Sequence, residues 1–246
     1  MTEVSAGASH VTGRAIRVWC PPGLDLTTAG TVVYVHGYFT TVEEAWHEHK
    51  LPAQFEASRQ NAVFVAVSAP ASGQEGVVWE SLGEVRRELT TTTGIHPSGP
   101  VVVIAHSGGY RTVARWLEGG DTIDQITLLD ALYGNVHEFG RWIGDAQAPR
   151  RTMNLVVCRD GVPHANAELL TARFRQRPAA GLVHRHGVPA SYEDFTSEER
   201  RARVLHIVAQ QTHMGLVTQG DVLPVLLHRS PLRLADDQAV RSGGDS

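Results

Sequence analysis

Cysteine is scarce: the 246 residues hold two, Cys20 and Cys158, and they stand far apart. Without a Cys-x-x-Cys pair, close-paired metal and redox motifs are excluded. Two free thiols in a reducing compartment are a simpler expectation than one disulfide. Long apolar runs are missing too. None approaches the ~20 residues that span a bilayer. The first residues, "MTEVSAGASHVTGRAIRVWCPPG", lack the basic stretch and apolar core of a secretory signal. The expectation is a soluble, cytoplasmic protein with no membrane span. Basic clusters are also absent and the net charge is −4, so no nucleic-acid partner is expected, since phosphate contacts need a gathered positive surface.

What is present suits one sizeable core. Hydrophobic residues make up 42% and charged residues 20% of the chain. Apolar runs recur at Ala15–Trp19, Thr31–His36, Asn61–Ser68, Val101–His106, Gln125–Asp130, Met153–Cys158 and Val204–Val208. Several are nearly continuous in Val, Ile and Leu, which predicts parallel strands buried on both faces. Helical patterns fall between them. Thr41-Val42-Glu43-Glu44 has the form of a capping box. Val78, Leu82, Val85 and Leu89 form one helical stripe, and so do Val113, Trp116 and Leu117 before Gly119-Gly120. Strands alternating with helices imply a mostly parallel sheet. We expect a flexible N-terminus over 1–13, one α/β domain over 14–229 and a polar, frayed tail over 230–246. Arg177–Arg203, rich in Pro, Gly and charge, reads as an excursion at the sheet edge that can cover a site. The thirteen histidines include His47/His49 and His184/His186, but a two-residue spacing divides a pair between helix faces. Solvated histidines and no metal are expected.

Three stretches carry chemistry. The first is "VVVIAHSGGYR", in which Ser107 stands between a buried strand and a helix. A nucleophile at so tight a bend needs small residues two places before and after it. Ala105 and Gly109 meet that need; a plain turn is the alternative. The second is "TVVYVHGYFTT", a strand ending in His36-Gly37. An acyl-transfer site binds its oxyanion with two N–H donors, one after the nucleophile and one after an earlier strand. Gly108 and Tyr38 are the candidates. The third is "VLHIVAQQTHMGLV", where His213 follows the last strand. A serine hydroxyl needs a base, and histidine titrates near neutrality.

With these motifs in this order, the chain resembles the α/β-hydrolase-fold serine hydrolases over roughly Ala15 to Leu227. Within that fold it is similar to a bacterial group with the elbow His106-Ser107-Gly108-Gly109-Tyr110 and a later Asp130-Ala131-Leu132-Tyr133-Gly134. The resemblance implies a mostly parallel central sheet flanked by helices, and a triad of serine, histidine and acid. Two aspartates compete for the acid. Asp160 follows the later strand, as the fold more often has it, but Cys158-Arg159-Asp160 is one residue short of the usual loop. Asp130 follows the earlier strand, as in some lipases of the fold, and is favoured. The span from Asp130 to Met153 leaves no room for a large lid domain.

The expected function is therefore cleavage of a small-molecule carboxylic ester through Ser107, His213 and Asp130, without metal or organic cofactor. An amidase or peptidase, an acyltransferase and a non-catalytic binding protein on the same fold are the alternatives. Tyr38, Phe39, Trp79 and Tyr110 are candidates for an aromatic pocket. Oligomeric state is left open.

Overall fold

The computed structural model describes residues 13–175 and 181–235, and residues 2–9 as backbone. Among these, nine strands form one sheet in the order β1-β2-β4-β3-β5-β6-β7-β9-β8. β1 (Thr2–Ser9), β2 (Arg14–Cys20) and β4 (Ala62–Val67) pair antiparallel at one edge. From β4 onward every pairing is parallel, through β3 (Gly30–Val35), β5 (Val101–His106), β6 (Gln125–Leu129), β7 (Thr152–Val157), β9 (Val204–Val208) and β8 (Leu182–His186).

The central strands are buried throughout, and their two-residue period divides the core in two. Val33, Val65 and Val103 face one layer, with Leu82 and Val85 of α3 (Leu82–Thr93), Val113 and Trp116 of α4 (Tyr110–Glu118), Phe139 of α5 (Val136–Gly144) and Leu170 of α6 (Val162–Arg175). Val32, Phe64 and Val102 face the other. There they meet Trp46 of α1 (Val42–Glu48), Phe55 of α2 (Leu51–Ser58), Leu216 of α8 (Gly215–Thr218) and Leu223 of α9 (Val222–Leu227). The short α7 (Ser197–Arg201) precedes β9.

After β3 the chain adds β4 on one side of it, then crosses to add β5 on the other. The loops leaving β3 and β5 thus diverge, and a crevice opens at the carboxyl ends of these neighbours. His36-Gly37 and Ser107 stand there.

The elements differ from expectation in four places. Residues 2–9, expected to be flexible, form β1 on the edge of β2. The Val78 stripe starts late, because the Ser81 side chain caps the Glu84 N–H at 3.2 Å and the helix begins at Leu82. The excursion holds β8, and none of its described residues lines the crevice; residues 177–180 lie outside the description. The start of the tail is docked: the Asn61 N–H donates to the Arg233 carbonyl and the Ala235 N–H to the Arg59 carbonyl, both at 2.8 Å. Residues 236–246 lie outside the described residues.

Candidate active site

Ser107 leaves β5 in a left-handed conformation, φ 50°, that a non-glycine residue adopts only under strain. Its neighbours are small for a reason of contact. A side chain at Gly109 would bring Cβ within 2.6 Å of the Val35 carbonyl oxygen, and one at Gly37 would bring Cβ within 2.8 Å of Ser107 Cβ. The elbow is thus pressed directly onto the end of β3. The Tyr38 ring lies flat against Gly108, where no Cβ would fit.

The loop after β3 is held from both sides. His36 accepts the Ala69 N–H at Nε2 (3.0 Å) and donates from Nδ1 to the Gly37 carbonyl (2.7 Å). Arg111 donates to the Tyr38 hydroxyl (3.3 Å) and to the carbonyls of Ser72 (3.4 Å) and Gly73 (2.9 Å). Among the described residues none accepts the Tyr38 N–H.

His213 stands in the loop after β9, and its Nδ1 donates to Asp130 Oδ2 at 2.7 Å. Asp130 leaves β6 with φ 44°, and its other oxygen accepts the Cys158 N–H at 3.0 Å. Burial opposes ionisation of Asp130, yet the bonds from His213 and Cys158 outweigh it and hold the carboxyl below its usual range. Asp160, the alternative acid, stands exposed after β7 and makes no bond to His213. Because Asp130 occupies Nδ1, the His213 nitrogen outside this bond is Nε2. The Ser107 hydroxyl has no hydrogen-bond partner among the described residues.

Two histidines here escaped the sequence reading. His106 donates from Nε2 to the His213 carbonyl (3.2 Å), and the two rings lie 4.6 Å apart. Burial pushes His106 down to about 3, with the neighbouring His213 adding to the shift. His49, expected to be solvated, is buried; it accepts the Tyr34 hydroxyl at 2.8 Å, and burial lowers it to about 4. Neither had a local signal, since both are buried by partners distant in sequence. Cys158 is no competing nucleophile: burial and the charge of Asp130 push its thiol up to about 12.

The cleft holds about 480 Å³ and is lined by Tyr38, Phe39, His49, Ser107, His213 and Met214, with Glu44 and Glu48 at one side. Phe39 is 88% and Met214 45% exposed, so the rim offers apolar surface to a ligand. Of the expected aromatic pocket only Tyr38 and Phe39 line the cleft. Trp79 belongs to the core, and Tyr110 packs against Tyr133. A wider hollow of about 580 Å³ between α4 and α5 holds no nucleophile with a base, so chemistry, not size, selects the crevice.

No protein-family model matches the sequence, and no curated protein matches it. Solved structures do. A ferulic acid esterase shares 11% identity over 92% of this chain and 98% of its own, with a TM-score of 0.59. The fluorophosphonate-binding serine hydrolase F of Staphylococcus aureus shares 9% over 92% and 98%, TM-score 0.59. An alpha-beta serine hydrolase homologue from Coxiella burnetii shares 13% over 93% and 96%, TM-score 0.53. The chain has the α/β-hydrolase fold, with the mostly parallel sheet flanked by helices that the sequence led us to expect.

Proposed function

We propose that the chain is a serine hydrolase that cleaves small-molecule carboxylic esters. The observation that carries this reading is the His213–Asp130 bond of 2.7 Å, placed at the crevice where Ser107 stands on a strained elbow. The Ser107 oxygen bonds to the ester carbonyl carbon while its proton passes to His213 Nε2. The carbonyl oxygen takes the negative charge and is bound by the N–H groups of Gly108 and Tyr38. His213 returns the proton to the departing alcohol as the ester bond breaks. A water molecule, deprotonated by the same imidazole, then releases the acid and restores Ser107. Asp130 holds the tautomer and stabilises the imidazolium.

An ester is favoured because its alcohol leaves more readily than an amine, and the apolar rim suits a short acyl or aryl group. That the neighbours are described as esterases and serine hydrolases agrees with this. A cytoplasmic setting agrees with two free cysteines. No helix among the described residues is long and apolar enough to cross a membrane.

The test is hydrolysis of p-nitrophenyl acetate and butyrate, beside the matching anilides and with a competing alcohol. We expect ester turnover to exceed anilide turnover, and free acid to be the main product. Asp130→Asn should lower kcat by about 10³–10⁴-fold, while Asp160→Asn should leave it within about twofold. Loss of turnover in Asp160→Asn but not in Asp130→Asn would overturn the choice of acid. Faster anilide cleavage or predominant transfer to the alcohol would overturn the ester reading.

A further inference from the structure

A second cluster of chemistry-bearing side chains lies at the β8 edge of the sheet and shares no lining residue with the Ser107 cleft. β8 and β9 run parallel with His184 opposite His206, so the two side chains leave the same face. α6 packs across β7, β8 and β9 on that face and brings in Glu168. His206 Nδ1 lies 3.0 Å from His184 Nδ1 and 3.5 Å from Glu168 Oε1. The three donor atoms all fall within 4.8 Å of one another. Ligands about 2.0–2.1 Å from a tetrahedral ion stand roughly 3.3 Å apart, and the separations of 3.0 and 3.5 Å bracket that spacing.

The surroundings orient these donors. Glu168 Oε2 accepts Arg175 at 2.6 Å, which leaves Oε1 toward the histidines. One helical turn earlier, His164 donates from Nδ1 to the Arg159 carbonyl, so its Nε2 keeps a lone pair, and its ring centroid is 6.3 Å from that of His206. A carboxylate held by a second partner is common among metal ligands, and Glu168 is held by Arg175. His206 is 0% exposed, and among the described residues its Nε2 has no partner. Burial lowers His206 to about 4 and lowers His184, while Arg175 holds Glu168 below its usual range against burial.

Cations also face it. Arg175 stands 3.4 Å from His184 Nε2, Arg159 and Arg185 line the same hollow, and His186 lies two residues beyond His184. Arg185 is turned to Glu199 at 2.9 Å, and Arg175 is half exposed, where water and salt screen it. The hollow, about 400 Å³, admits solvent, so a water can complete the shell.

We propose that His184, His206 and Glu168 bind one divalent transition-metal ion of the zinc class. Two nitrogens and one oxygen suit zinc, nickel or cobalt, not calcium or magnesium. The ion would tie edge strand β8 to β9 and α6. The proposal does not rest on the hydrolase reading.

The experiment is calorimetric titration of ZnCl₂ into tag-free protein stripped with a chelator, together with thermal melts. His184→Ala and Glu168→Gln are compared with wild type and with His96→Ala, an exposed histidine elsewhere. We expect one saturable zinc per chain, a zinc-dependent rise in Tm, and at least tenfold weaker binding in both cluster variants. His96→Ala should match the wild type. Circular dichroism of the metal-free variants guards against misfolding, and both replacements lie on side chains that are not fully buried. Absence of saturable binding up to millimolar zinc, or wild-type affinity in either cluster variant, would overturn the proposal.

Discussion

Ser107 and Asp130 share a backbone trait: both are non-glycine residues held at positive φ, 50° and 44°. Such strain costs of order 1–3 kcal/mol and persists where surrounding structure enforces it. Ser107→Gly should therefore raise the unfolding free energy by about 0.5–1 kcal/mol while abolishing turnover, as urea melts and ester assays would show. A second residue-scale consequence concerns buried imidazoles. Burial pushes His106 down to about 3 and His49 and His206 down to about 4, against about 6.5 for a free imidazole. The unfolded chain thus binds the extra protons as pH falls from about 6.5, and stability must drop over that window. The slope is up to about 1.4 kcal/mol per pH unit for each imidazole. Urea midpoints measured from pH 7.5 to 4.5 should fall, and His49→Gln should flatten the decline; equal slopes in the two proteins would contradict this.

Among the elements, the central strands were legible because both faces are buried, so Val and Ile run on without polar interruption. β8 was not, because Leu182-Val183-His184-Arg185-His186 alternates at an exposed edge and reads as a loop. The histidine cluster was hidden as well, because His184 meets His206, 22 residues later, only across the β8–β9 pairing. α1 was legible because its cap is local, with Thr41 and Glu44 satisfying each other's N–H groups. Arg229 had no local signal. It is buried beyond α9, donating to the carbonyls of Glu199 (3.0 Å) and Ala202 (2.8 Å) and to Asn154 Oδ1, and so fastens α9 to α7 and β7. Burial lowers it to about 10, still charged at neutral pH. Arg229→Met would strand those acceptors, and we expect a loss of about 2–4 kcal/mol in chemical denaturation.

At the scale of the whole molecule, sheet order assembles the site. Placing β3 between β4 and β5 opens the crevice, and the same order brings the loops after β5, β6 and β9 to one end, so that Asp130 bonds His213 beside the cleft that Ser107 and His213 both line, although the three are far apart in sequence. The placement of Ser107, Gly108 and His213 after strand ends was legible, because each follows an apolar run in the alternation. The choice between Asp130 and Asp160 was not open to geometry from sequence, since it depends on which loop reaches His213. The central claim is that these parts form an activated serine. Its most direct test is intact mass after fluorophosphonate treatment of the wild type and Ser107→Ala. We expect one phosphonyl adduct per wild-type chain and none on the variant. A folded wild-type protein that takes no adduct, or an adduct that survives in Ser107→Ala, would contradict it.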